Sequence, residues 1–65
     1  MTATFNRIKM RRIALNLKQK KVAENAGITS QYLYKLESGK AKHPSIEIMK
    51  RIAEALETTP QELFF

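Results

Sequence analysis

The sequence predicts an all-α protein, a compact bundle of five helices. Two observations lead there. Apolar residues recur at the i, i+3, i+4 spacing of one helical face in segment after segment, and residues that start or stop helices bound each stretch. Between Gln19 and Leu36, in addition, seven positions meet the needs of two short helices packed across a tight turn: Val22, Ala23, Ala26, Gly27, Ile28, Leu33 and Leu36.

The first helix is expected over about Thr4–Leu15. Phe5, Ile8, Arg12 and Leu15 fall on one stripe, Arg12 being its polar exception, while Arg7, Lys9 and Arg11 supply exposed positive charge. Asn16 suits the end of this helix because it tolerates the left-handed conformation, and Leu17 then serves as a corner residue. The second helix, about Gln19–Ala26, places Val22, Ala23 and Ala26 on one side. Ala23 stands where the helices cross most closely. Gly27 closes the helix without a Cβ penalty, and Ile28 fills the corner.

Thr29 caps the third helix, which runs from about Ser30 to Glu37 or Ser38. At about 100° per residue, Leu33 and Leu36 define its inner side. Gln31, Tyr34 and Lys35 point away, with Ser30 and Tyr32 on the flanks. An ordinary surface helix would carry mixed charge there. This one offers amide and hydroxyl groups, a ring and one cation, which are the groups that read base edges. Gln pairs with adenine, Lys donates to guanine, and a Tyr ring packs on a thymine methyl. Ser30, Gln31, Tyr34 and Lys35 are therefore the candidate base contacts, against the plainer reading of a solvated face. Tyr32 is expected half-buried, with its hydroxyl near a phosphate. Arg12 and Glu37 form either a buried pair or two separate surface charges. The pair is favoured because Glu37 is one of only two acids before residue 46.

Ser38-Gly39 ends the third helix. The loop Lys40-Ala41-Lys42-His43-Pro44 is too basic and too broken by proline for regular structure, and its cations suit phosphate contact. His43 has no Cys, Asp or second His with which to hold a metal. Ser45 caps a fourth helix, about Ile46–Leu56, with Glu47 at its positive end. Ile48 or Ile46, Met49, Ile52, Ala53 and Leu56 form its inner stripe. Thr59-Pro60-Gln61-Glu62 is a capping box that opens a fifth helix, Pro60–Phe64. Leu63, Phe64 and Phe65 close the chain, and one or two of the three are expected in the core. The remainder would form an apolar patch.

Residues 1–65 are expected to form a single domain, near the lower limit for an independent core. Cysteine is absent, so no disulfide or thiolate metal site contributes, and no cofactor or metal is expected. No apolar run exceeds three residues, which excludes a transmembrane helix and a signal-peptide core. The net charge is +6. Residues 1–45 hold ten of the twelve Lys and Arg but only Glu24 and Glu37, a balance of +8; residues 46–65 balance at −2. Such segregation suits a polyanion on one face. A membrane surface is the weaker candidate, because no long helix combines a bulky apolar face with a continuous basic one.

With the motif on its second and third helices, the chain resembles the lambdoid-phage repressor and Cro group of XRE-type helix-turn-helix domains, from about Phe5 to Leu63. The resemblance rests on Arg11–Leu15 (RRIAL), Gln19, Ala23 with Gly27, Leu36–Lys40 (LESGK) and Lys42–Pro44 (KHP). It implies a compact repressor-like bundle and a symmetric homodimer on operator DNA. It also implies a phosphate contact from Gln19, base reading by Ser30, Gln31 and Lys35, backbone contacts from Lys40, Lys42 and His43, and an Arg12–Glu37 pair. Lys18 departs from the pattern: the group usually places an N-cap Ser, Thr or Asn there, and a lysine cannot accept a backbone N–H. A phosphate would give Lys18 a partner instead.

The phosphate contacts are thus expected at Lys18, Gln19, Thr29, Tyr32, Lys40, Lys42 and His43. The dimer contact is expected at the less basic end, Thr58, Leu63, Phe64 and Phe65, because like-charged basic faces repel. It would be weak without DNA. The function expected is that of a sequence-specific double-stranded DNA-binding regulator, a repressor on a pseudo-palindromic operator in the prokaryotic cytosol or nucleoid. The alternative is an antitoxin-type interaction module, whose C-terminal apolar patch binds a protein partner while DNA binding is autoregulatory. An enzyme has little support: one His, no Cys and no paired carboxylates leave no nucleophile–base set. RNA binding lacks an aromatic platform on strands.

Overall fold

The computed structural model describes residues 3–42 and 44–65, with side chains from Arg7 onward. The expected position of Phe5 in the core and the expected role of His43 lie outside the described residues. Five helices follow one another: α1 (Ala3–Ala14), α2 (Gln19–Ala26), α3 (Ser30–Glu37), α4 (Ile46–Ala55) and α5 (Pro60–Phe64). α2 packs on α3 and α4, α1 on α3 and α5, and α4 on α5.

Four of the five helices close in the same way. After α1, Asn16 has φ +58, with its N–H donating to the Ile13 carbonyl and that of Leu17 to Arg12. After α2, Gly27 has φ +72, with N–H bonds from Gly27 to Glu24 and from Ile28 to Ala23. Gly39 and Glu57 repeat the arrangement after α3 and α4. Each left-handed residue turns the chain while two N–H groups satisfy the last free carbonyls. At Gly27 the backbone conformation demands the glycine, since an added Cβ would meet nothing nearer than Arg51 Nη1 at 3.7 Å. Glu57 was not foreseen. Arg11 explains how a non-glycine residue is held there: its Nε donates to the Leu56 carbonyl and its Nη2 to that of Glu57, both at 2.9 Å. Arg11 is therefore half-buried against the end of α4 and is not the free surface charge expected.

Helix starts follow the expected caps. Thr29, Ser45 and Thr59 accept from Tyr32, Ile48 and Glu62 through their side chains, whereas Lys18 makes no capping bond. α1 begins and ends one residue earlier than expected, and Leu56 follows α4 as its cap.

The core joins Ile8, Val22, Ala23, Ala26, Leu33 and Leu36 to Met49, Ile52, Ala53, Leu56, Leu63 and Phe64. Ile48, not Ile46, takes the inner position on α4; Ile46 is exposed. Both Leu63 and Phe64 are buried, at 2% and 4% exposure, and only Phe65 stands out at 71%. This corrects the dimer contact expected at the C-terminus. Leu63 and Phe64 hold α5 onto α1 and α4, and of the four residues named only Phe65 and the half-buried Thr58 reach the surface.

Ala23 is 1% exposed. A leucine there would drive α2 away from its neighbours, so Ala23→Leu should cost about 1–3 kcal/mol by overpacking. Denaturant unfolding of the two proteins would measure it, and an unchanged midpoint would contradict the packing described.

Candidate nucleic-acid interface

α3 is divided cleanly. Leu33, Leu36 and Glu37 are buried, whereas Ser30, Gln31, Tyr34 and Lys35 are all exposed on the other side. The four expected base-reading residues therefore share one solvent-facing surface on a rigid element. Tyr32 is half-buried against the core, as expected for a flank residue.

The helix is locked in place from beneath by a charged network. Arg12 Nε donates to Glu37 Oε2 at 2.7 Å and Arg12 Nη2 to Oε1 at 3.1 Å, a two-pronged pair. Arg12 Nη1 donates to the Leu17 carbonyl at 2.9 Å, and Gln19 Nε2 donates to Glu37 Oε1 at 3.0 Å. One carboxylate on α3 thus ties together α1, the α1–α2 corner and the start of α2. Glu37 is buried and Arg12 largely covered, with side chains 3% and 13% exposed, so the reading as two independent surface charges is excluded. Gln19 is its third member, a role the residue pattern did not signal. Its amide retains a second N–H for a phosphate.

Around this face lie the other candidates. The Thr29 hydroxyl oxygen accepts from Tyr32 N at 3.0 Å and keeps its own proton to donate. Lys18 is exposed at the head of α2, where uncapped N–H groups add positive potential. Lys40 and Lys42 are exposed beyond the far end of α3. Lys40 Nζ lies 5.7 Å from the centre of the Tyr34 ring, within cation–π range. Positive groups therefore stand at the head of α2 and beyond the last turn of α3, beside the exposed face of α3, which suits contact with phosphates. No set of three His, Cys, Asp or Glu gathers among the described residues, and no helix there is long and apolar enough to cross a membrane.

A family model described as helix-turn-helix matches residues 8–63. The chain belongs to the helix-turn-helix family. It is similar to the restriction-modification controller protein C.AhdI from Aeromonas hydrophila, at 30% identity and a TM-score of 0.86 over 94% of this chain and 91% of that one. Comparison with curated proteins finds no match. The all-helical fold, the XRE-type motif and this likeness agree: the chain is a DNA-binding transcription regulator.

Proposed function

We propose that this helix-turn-helix protein is a sequence-specific repressor that binds a pseudo-palindromic operator as a symmetric dimer, with each α3 in the major groove. The observation that carries the reading is the division of α3 into a locked inner side and an outer side of Ser30, Gln31, Tyr34 and Lys35. Gln31 suits adenine, Lys35 guanine, Tyr34 a thymine methyl, and Ser30 either acceptor or donor. Lys18, Gln19, Thr29, Tyr32, Lys40 and Lys42 hold phosphates and set the register. Occupancy of a promoter requires nothing of the chain beyond DNA binding, which supports repression over activation.

The dimer places two recognition helices about 34 Å apart, one turn of DNA. Each then lies about 17 Å from the symmetry axis, within the 25 × 21 × 21 Å extents of one domain. Contact through the end that carries Thr58 and Phe65 keeps the basic faces apart. Phe65 alone is a small anchor, so two monomers should join cooperatively on the operator. A duplex carrying both half-sites is expected to bind far more tightly than a half-site duplex, with a sigmoidal isotherm; equal affinities in fluorescence-anisotropy titrations would refute the dimeric mode.

The near-complete mutual coverage with C.AhdI favours a narrower version, control of restriction-modification genes. It is tested by asking whether the selected operator lies upstream of such genes beside this one. The antitoxin-type alternative loses support, because Leu63 and Phe64 are buried in the core.

A further inference from the structure

We propose that the outer side of α1 and the adjoining α1–α2 corner form a docking surface for an acidic amphipathic helix of another protein, distinct from the base-reading residues of α3 and sharing with the DNA contacts only Lys18. Met10 and Ile13, one turn apart on α1, are 63% and 56% exposed, on the side opposite buried Ile8. They make no use of the core and have no place in a phosphate contact. The stripe ends where the Ile13 carbonyl accepts from Asn16 N. Beyond that turn, the α1–α2 corner holds a concavity of ≈ 470 Å³ lined by Asn16, Leu17, Lys18, Lys20, Lys21 and Glu24.

Charge complementarity selects the occupant. The concavity presents three lysines against Glu24 alone, and Lys9 stands beside Met10. Apolar anchors spaced at one helical turn, bordered by cations, fit a helix with leucine-type anchors at i, i+3, i+4, i+7 and carboxylates on its flanks. DNA would use the lysines but would gain nothing from Met10 and Ile13. The basic half of a second copy is a poor fit at this surface, because residues 1–45 of each chain carry +8.

The inference does not depend on the dimer or the operator. The probe is a synthetic amphipathic peptide with leucines at those four spacings and glutamates elsewhere; a control peptide carries lysines in place of the glutamates. Titrated into isotope-labelled protein, the acidic peptide is expected to move the amide signals of Met10, Ile13, Leu17, Lys20 and Lys21, and the basic peptide to move none. Ile13→Gln, at an exposed site, should leave the melting temperature unchanged and weaken peptide binding about tenfold. Signal changes confined to α3, Lys40 and Lys42 would mean that the peptide merely imitates phosphate, and would overturn the proposal. So would the absence of any change, equal binding of both peptides, or undiminished binding to Ile13→Gln.

Discussion

Glu37→Ala is expected to destabilise the domain by about 3–5 kcal/mol, the cost of leaving a largely covered guanidinium without its carboxylate. Arg12 would keep only the Leu17 carbonyl, and Gln19 would lose its partner on α3. A 65-residue domain has only about 3–10 kcal/mol in total. The melting temperature should therefore fall by roughly 15 °C or more, and partial unfolding at ambient temperature is expected. The double variant Arg12→Met with Glu37→Leu removes both charges together and should recover most of that loss, since a buried pair exchanged for apolar groups is often near neutral. If Glu37→Ala melts like the parent protein, the network does not anchor α3. Calorimetry on the three proteins decides this.

Affinity for operator DNA should fall by about 10³–10⁵ between 50 and 200 mM salt, with a steep linear slope on logarithmic axes. Lys18, Lys40 and Lys42 in each of two protomers give roughly six cation–phosphate contacts, which places the loss near the lower end of that range. Lys42→Ala, which removes one contact per protomer, should flatten the slope by about two and weaken all sequences alike. A shallow slope in titrations at several salt concentrations would mean that these lysines do not grip the backbone.

Local signals in the chain are enough to locate the helices. Gly27, Ser38-Gly39 and Asn16 stop them through backbone conformations that these residues tolerate, and Thr29, Ser45 and Thr59 start them through their own hydroxyls. The outward set on α3 was legible for the same reason: helical periodicity alone separates Gln31, Tyr34 and Lys35 from Leu33 and Leu36. Features that depend on distant partners were not. Glu57 adopts a left-handed conformation with Arg11 held across from α1, and nothing near Glu57 in sequence announces it. One or two of the three C-terminal apolar residues were expected in the core, but which of them could not be told locally: α5 turns both Leu63 and Phe64 onto α1 and α4, which takes them out of the expected dimer contact. Gln19 joins Glu37 across eighteen positions, and its role emerges only once α1, α2 and α3 meet.

Selection of bound duplexes from a random pool, repeated with Gln31→Ala and Lys35→Ala, tests directly whether the outer face of α3 reads sequence. The parent protein should enrich two inverted half-sites about 10 base pairs apart, centre to centre. Each variant should lose about 1–3 kcal/mol of preference at one or two positions per half-site and keep the rest of the pattern. No enriched sequence, or two variants that weaken every duplex equally, would contradict base reading by these residues.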